Sequence, residues 1–225
     1  MGLFLWRASL LDATVIIDYQ NLHMTGWKLH AKNLPRHQHY IDPISFAEAL
    51  AVERNSRMTS TFSPISIRSV LVYRGIPSNI YEPKQYSRNL AQASYWQRDK
   101  RVLVNHRSLK YEFERDRDGS LIYDKKGKKI PISKKEKGID VLCALALVRE
   151  IGKTDVVILA SQDSDLIPAI EEAQRLELGK VETCSWYLKG DFGSREIRSE
   201  KFKVWNTRLG ENIFQKSLDQ NNYSG

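Results

Sequence analysis

Only two cysteines stand among the 225 residues, Cys143 and Cys184, and both lie inside apolar runs (VLCALAL and VETCSWY). Thiols in such settings behave as small buried hydrophobes and supply no disulfide framework, which fits a reducing cytoplasm. No stretch approaches the ~18 to 20 continuous apolar residues of a membrane-spanning helix. The opening MGLFLWRASLLDA has no basic region before its apolar patch and no small-residue cleavage site, and Trp6 stands where a myristoylation signal wants Ser or Thr. A soluble, cytoplasmic chain with no membrane partner is the expectation. The turn DYQNLHMTGW has no glycine-rich phosphate loop, which argues against NAD or ATP binding of the familiar kind. Zinc is also poorly served. His23, His30, His37, His39 and His106 come without a Cys pair or a His-Glu-x-x-His helix, and are read as surface residues.

What is present is ordinary globular material, 41% hydrophobic and 28% charged, enough for a sizeable core. Thirty-five Lys and Arg against 27 Asp and Glu give a formal charge of +8, which favours polyanionic partners.

Residues 13–17 (ATVII) form a short β-branched run that stops at Asp18, the pattern of a buried parallel strand opening into a loop. Helices are predicted over 45–54, 83–100, 138–151 and 165–176, and further strands over 67–73, 101–105, 155–160 and 180–187. The helix over 138–151 (GIDVLCALALVREI) is apolar nearly all round, which predicts burial within the domain. Between 110 and 132 the pattern alternates, with turns at Asp118-Gly119 and Lys126-Gly127, predicting an antiparallel hairpin arm rich in lysine. No internal repeat is evident. The fold class is therefore α/β, a doubly wound, mostly parallel sheet with an inserted basic β-hairpin. The organisation is an N-terminal extension over 1–12, one domain over 13–207 with the insertion at 110–137, and a loosely ordered tail over 208–225.

In open α/β sheets, ligands gather outside the carboxyl ends of the strands. Asp18 and Asn21 follow the first strand; Ser161, Asp163 and Asp165 follow 155–160; Asp140 opens the apolar helix, a costly place for a carboxylate without a partner. Clustered carboxylates lacking His or Cys are hard oxygen ligands suited to Mg²⁺ or Mn²⁺, which also take phosphate oxygens. Asn21 and Ser161 are expected to orient the carboxylates or an attacking water. Each acid also has a plain structural duty available: Asp163 as a helix cap, Asp18 as a turn closer, Asp140 beside a helix dipole.

The strings VIIDYQNL, KGIDVLCALALV and ILASQDSDLIPAIEEAQRLELGKVE resemble the three signature blocks of NYN domains, which belong to the PIN-like ribonucleases. The resemblance implies a doubly wound sheet and four acids binding divalent metal for RNA cleavage, falling here on Asp18, Asp140, Asp163 and Asp165, with Asn21 as companion. Two positions depart from the family. Gln162 stands where Gly is common, and the segment GSREIRSEKFKVW, similar to the closing segment that often supplies another Asp, has only Glu200 nearby.

From Asp124 to Lys137 the chain carries Lys125, Lys126, Lys128, Lys129, Lys134, Lys135 and Lys137 against two acids, and is expected to track a phosphate backbone. Tyr19, Trp27, Tyr95 and Trp96 offer faces for unpaired bases, although aromatics at these spacings are more often core. The expectation is a metal-dependent endoribonuclease that hydrolyses single-stranded or looped RNA, leaving 5′-phosphate and 3′-hydroxyl ends. The alternatives are a catalytically weak RNA-binding or interaction module, a metal-dependent phosphatase, or a DNase. RNA or DNA is the expected partner, with a homo-oligomer or regulatory protein left open.

Overall fold

The computed structural model describes residues 10–35, 39–57 and 63–223; His37 and residues 1–9 of the N-terminal extension lie outside these. The elements run β1 (Leu11–Asp18), α1 (Tyr19–His30), α2 (Pro43–Ser56), β2 (Ile65–Ile76), α3 (Pro83–Trp96), β3 (Val102–Ser108), β4 (Lys110–Phe113), β5 (Pro131–Lys135), α4 (Ile139–Glu150), β6 (Val156–Ala160), α5 (Ile167–Arg175), β7 (Lys180–Trp186), β8 (Trp205–Leu209) and α6 (Glu211–Lys216). Six strands make one sheet in the order β3-β2-β1-β6-β7-β8. Every neighbouring pair in it is parallel. This is a Rossmann-like α/β sheet flanked by helices, and its strand order turns back between β1 and β6.

Alternation along the strands explains why both faces are covered. Val15, Ile17, Val70, Val72, Ile158 and Cys184 point into one core with α1, α2, α3 and α6. Ile16, Leu71, Val157, Leu159 and Val181 point into the other with α4 and α5. Strands buried on both faces read as continuous β-branched runs, and each fully buried Val, Ile or Leu contributes roughly 1.5–3 kcal/mol. Both cysteines are free and buried. Among the described residues no helix is long and apolar enough to cross a membrane.

Four features differ from the sequence expectations. Helix α1 begins directly after Asp18 instead of after a loop, because Asp18 itself is the N-cap. Helix α4 is not sunk in the domain: Val141 and Leu145 are 55% and 61% exposed, while the stripe Ile139, Cys143, Ala146 and Leu147 is buried, with Leu142 and Ala144 packed partly against the same core. The tail is tied down, since β8 extends the sheet past residue 207 and α6 buries Ile213 and Phe214, while Asp219 accepts from Trp96 Nε1 at 2.8 Å.

The fourth difference is a short repeat. Strands β4 and β5 pair antiparallel, and between them the chain makes two turns eight residues apart. Asp116 Oδ1 accepts from the N–H groups of Asp118 and Ser120; Asp124 Oδ1 does the same for Lys126 and Lys128. Gly119 and Gly127 close these turns at φ +82° and +70°, a region that favours glycine. Glu114, Ile122 and Ile130 then bond in a closed ring, each N–H to the next carbonyl at 2.9–3.3 Å. Charge differences between RDRDGS and YDKKGK hide the repeat from a reading by residue type.

Candidate functional site

Ile17 and Ala160 are register partners on β1 and β6, so the residues that follow them open on the same rim, at the place where strand order reverses. Asp18 Oδ1 accepts from Asn21 N–H at 3.3 Å, and Asp18 Oδ2 from Ser161 Oγ at 3.3 Å. Ser161 Oγ accepts from Asp163 N–H at 3.2 Å, and Asp163 Oδ1 from Asp165 N–H at 3.0 Å, which caps the short 3-10 turn Ser164–Leu166. Asn21 Oδ1 accepts from Gln162 N–H at 2.8 Å, tying α1 to the loop after β6. The two expected orienting residues, Asn21 and Ser161, thus join both acidic loops. Asp18 and Asp163 do perform the capping duties open to them, and the same contacts fix their carboxylates at the rim.

Asp140 comes from the third side, in the first turn of α4, whose N-cap Gly138 is held by Arg107 Nε donating to the Lys137 carbonyl at 2.7 Å. Asp18, Asp140, Asp163 and Glu136 surround a cavity of about 440 Å³ with Lys137 at its edge. In the sequence, Glu136 is one of the two acids within the lysine run from Asp124 to Lys137. Its place immediately before Lys137-Gly138-Ile139-Asp140 was the available signal. Its Oε1 accepts from Gly75 N–H at 2.6 Å, and the Gln20 amide, nitrogen inward, donates to both its oxygens at 3.2 Å. Asp165 is exposed and does not line this cavity.

Burial raises the Asp18 carboxyl to about 6; the Asn21 N–H and Ser161 hydroxyl oppose the rise, and the negative charges of Asp163 and Asp140 add to it. Glu136 is likewise pushed up by burial, with Asp18 contributing. The acids ring the cavity without closing on a point: among the described residues no three His, Cys, Asp or Glu side chains are grouped so as to hold a metal ion as they stand.

The lysines divide. Lys134 pairs with Glu82 and Lys135 with Glu112 at 3.0 Å, so these two are already partnered. Lys125, Lys126, Lys128 and Lys129 line a shallow cavity on the arm beside Tyr81. Strand β5 runs from that arm directly into Glu136, Lys137 and α4. Tyr19 and Trp96 are core residues, Trp27 donates to the Leu34 carbonyl, and Tyr95 packs on Tyr223. The histidines are not all at the surface as expected: His23 is buried, and the His30 ring packs between Trp186 and Phe214. Gln162 has a structural task. Its Oε1 accepts from Trp186 N–H at 3.1 Å and its Nε2 donates to the Arg195 carbonyl at 2.6 Å, locking the closing segment onto β7.

No protein-family model matches the chain, and no curated protein matches it. Among solved structures it is similar to a protein of unknown function from Vibrio parahaemolyticus RIMD 2210633, 21% identical, covering 78% of this chain and 81% of that one, with a TM-score of 0.43.

Proposed function

We propose that this chain is a metal-dependent nuclease of the PIN-like, NYN kind, hydrolysing phosphodiester bonds of RNA by preference. The observation that carries the proposal is the Asp18 carboxylate, buried at the reversal of strand order, held only by neutral donors and faced by two further acids. A buried anion of this kind lacks a cation, and an all-oxygen donor set suits Mg²⁺ or Mn²⁺. Asp18, Asp140, Asp163 and Glu136 are the residues to hold it. Their spread around a cavity, and not about a point, suits ions that keep several waters and take phosphate oxygens as further ligands. When bound, the metal supplies an activated water and neutralises charge on the phosphoryl oxygens. Ser161 and Asn21 keep the carboxylates oriented between turnovers. Lys137 at the rim and the four arm lysines contribute positive charge along the path of the strand.

The test is cleavage of a panel of labelled RNA and DNA with Mn²⁺, Mg²⁺ or EDTA, comparing the parent with Asp163→Ala and with the arm lysines replaced by alanine. Metal-dependent cutting of RNA, abolished in Asp163→Ala and weakened with a flatter salt dependence in the arm variant, is the expected result. Tight binding without cutting under every metal would make the chain a binding module instead.

A further inference from the structure

Beside the acidic cavity lies a larger one, of about 820 Å³, and Glu136 lines both. Its chemistry is the opposite. Tyr40 sits against the His23 ring, with centroids 5.2 Å apart, and two guanidinium groups approach the same tyrosine, Arg88 at 5.6 Å and Arg74 at 5.8 Å from its centroid. Arg74 is buried, stacked on Tyr19 at 4.6 Å, and spends its N–H groups on the neutral amides of Gln92 and Asn89 at 2.8 and 3.1 Å. Its charge therefore stands inside the protein behind an aromatic wall. Arg88 Nε is buried with no hydrogen-bond partner. A cavity of this size and lining wants a planar ring to lie on Tyr40 and an anion to meet Arg88.

We infer that this cavity seats one unpaired nucleotide adjoining the acidic cavity, its base on Tyr40 and a phosphate at Arg88. The inference deepens the proposed nuclease function and rests on it for the identity of the strand. A base inside a duplex has both faces covered and cannot reach Tyr40, so the seat restricts the substrate to single-stranded or looped segments. Arg74 acts from behind as a fixed positive charge, held away from direct contact by its own amide partners. None of the four aromatics marked in the sequence takes this part. Tyr40 follows the unpatterned stretch HQH, and Arg74 lies just past the strand predicted over 67–73, inside β2, so neither carried a motif.

Binding in EDTA separates this inference from catalysis. Fluorescence anisotropy of a labelled eight-nucleotide unpaired RNA is read for the parent, Arg88→Gln, Tyr40→Leu, Tyr40→Phe and Lys216→Gln, the last removing one exposed positive charge on α6. Arg88→Gln and Tyr40→Leu should each weaken binding about tenfold, while Tyr40→Phe, which keeps the ring, and Lys216→Gln stay within about twofold. A duplex of the same sequence should lose less than about twofold in every variant. Equal losses for duplex and single strand, or a Tyr40→Leu variant that melts like the parent and binds like it, would overturn the seat. Adenosine monophosphate should compete at millimolar concentration and do so less in Arg88→Gln. Competition by inorganic phosphate alone, with none from the nucleotide beyond it, would reduce the site to an anion pocket and also overturn the proposal. A protein that never cuts RNA yet shows the expected binding pattern would refute the nuclease function and leave the seat standing.

Discussion

Two carboxylates are buried to a similar degree in this sheet, Glu182 on β7 and Asp18 at the end of β1, and they are treated oppositely. Glu182 receives a two-pronged grip from Arg54, Nη2 at 2.8 Å and Nε at 3.1 Å, and Arg54 gives its remaining nitrogen to the Ser63 carbonyl at 2.7 Å. Charge and hydrogen bonds are both satisfied within the fold. Asp18 receives one N–H and one hydroxyl, and looks across a cavity at Asp163 and Asp140. The same side-chain chemistry is complete in one place and left open in the other. Burying an anion unpaired is costly, and the proposed function assigns the open site to an external cation.

The comparison can be broken from either side. Removing the cation of the closed pair should have the largest effect on stability: Arg54→Met leaves Glu182 buried alone and is expected to cost about 3–5 kcal/mol in urea unfolding, much of it recovered in Arg54→Met/Glu182→Met. Recovery of nothing in the double variant would mean that Arg54 matters through packing and not through charge. Next comes Asp18→Asn, with the opposite sign. The folded carboxyl titrates near 6 and an unfolded one near ~3.9, so the native state holds the extra proton between them and the metal-free protein loses stability as pH rises through that window. Asp18→Asn should remove this slope and, at pH 8, stabilise the metal-free protein by on the order of 2 kcal/mol. Mn²⁺ should raise the parent's Tm at pH 8 and leave that of Asp18→Asn unmoved. A variant less stable than the parent at both pH 5 and pH 8 would show that Asp18 is ordinary capping. The smallest change expected is Gln162→Ala, about 1–2 kcal/mol, read as faster amide exchange of Trp186 and its neighbours.

Much of this was visible in the residues. Runs such as ATVII and DVVILA are buried strands because both faces of a parallel sheet are covered, and the acids that end or follow them mark its carboxyl edge. Asp18 and Asp163 were legible for that reason, and Asp140 because it opens an apolar helix, a costly place for a carboxylate. Other parts were hidden for physical reasons. YQNLHMTGWKLH mixes polar and aromatic residues and joins the helices only through its cap at Asp18. WNTRL and ENIFQK are short pieces whose order comes from tertiary contacts with β7 and α2, not from their own pattern. Asp165 looks equivalent to Asp163 in the string QDSD, yet the tight turn between them sends one carboxylate to the cavity and the other to solvent. Glu136 was masked by the lysines around it.

Gly75 lines the larger cavity with backbone alone and gives its N–H to Glu136. A β-carbon there would overlap the Glu136 carboxylate and Leu109. Alanine at this position therefore acts as a wedge in the partition between the two chambers, pushing aside the one acid they share. In the proposed nuclease, the spacing between the cut bond and the nucleotide seated beside it would be set by a residue with no side chain, a ruler whose length is the absence of one methyl group.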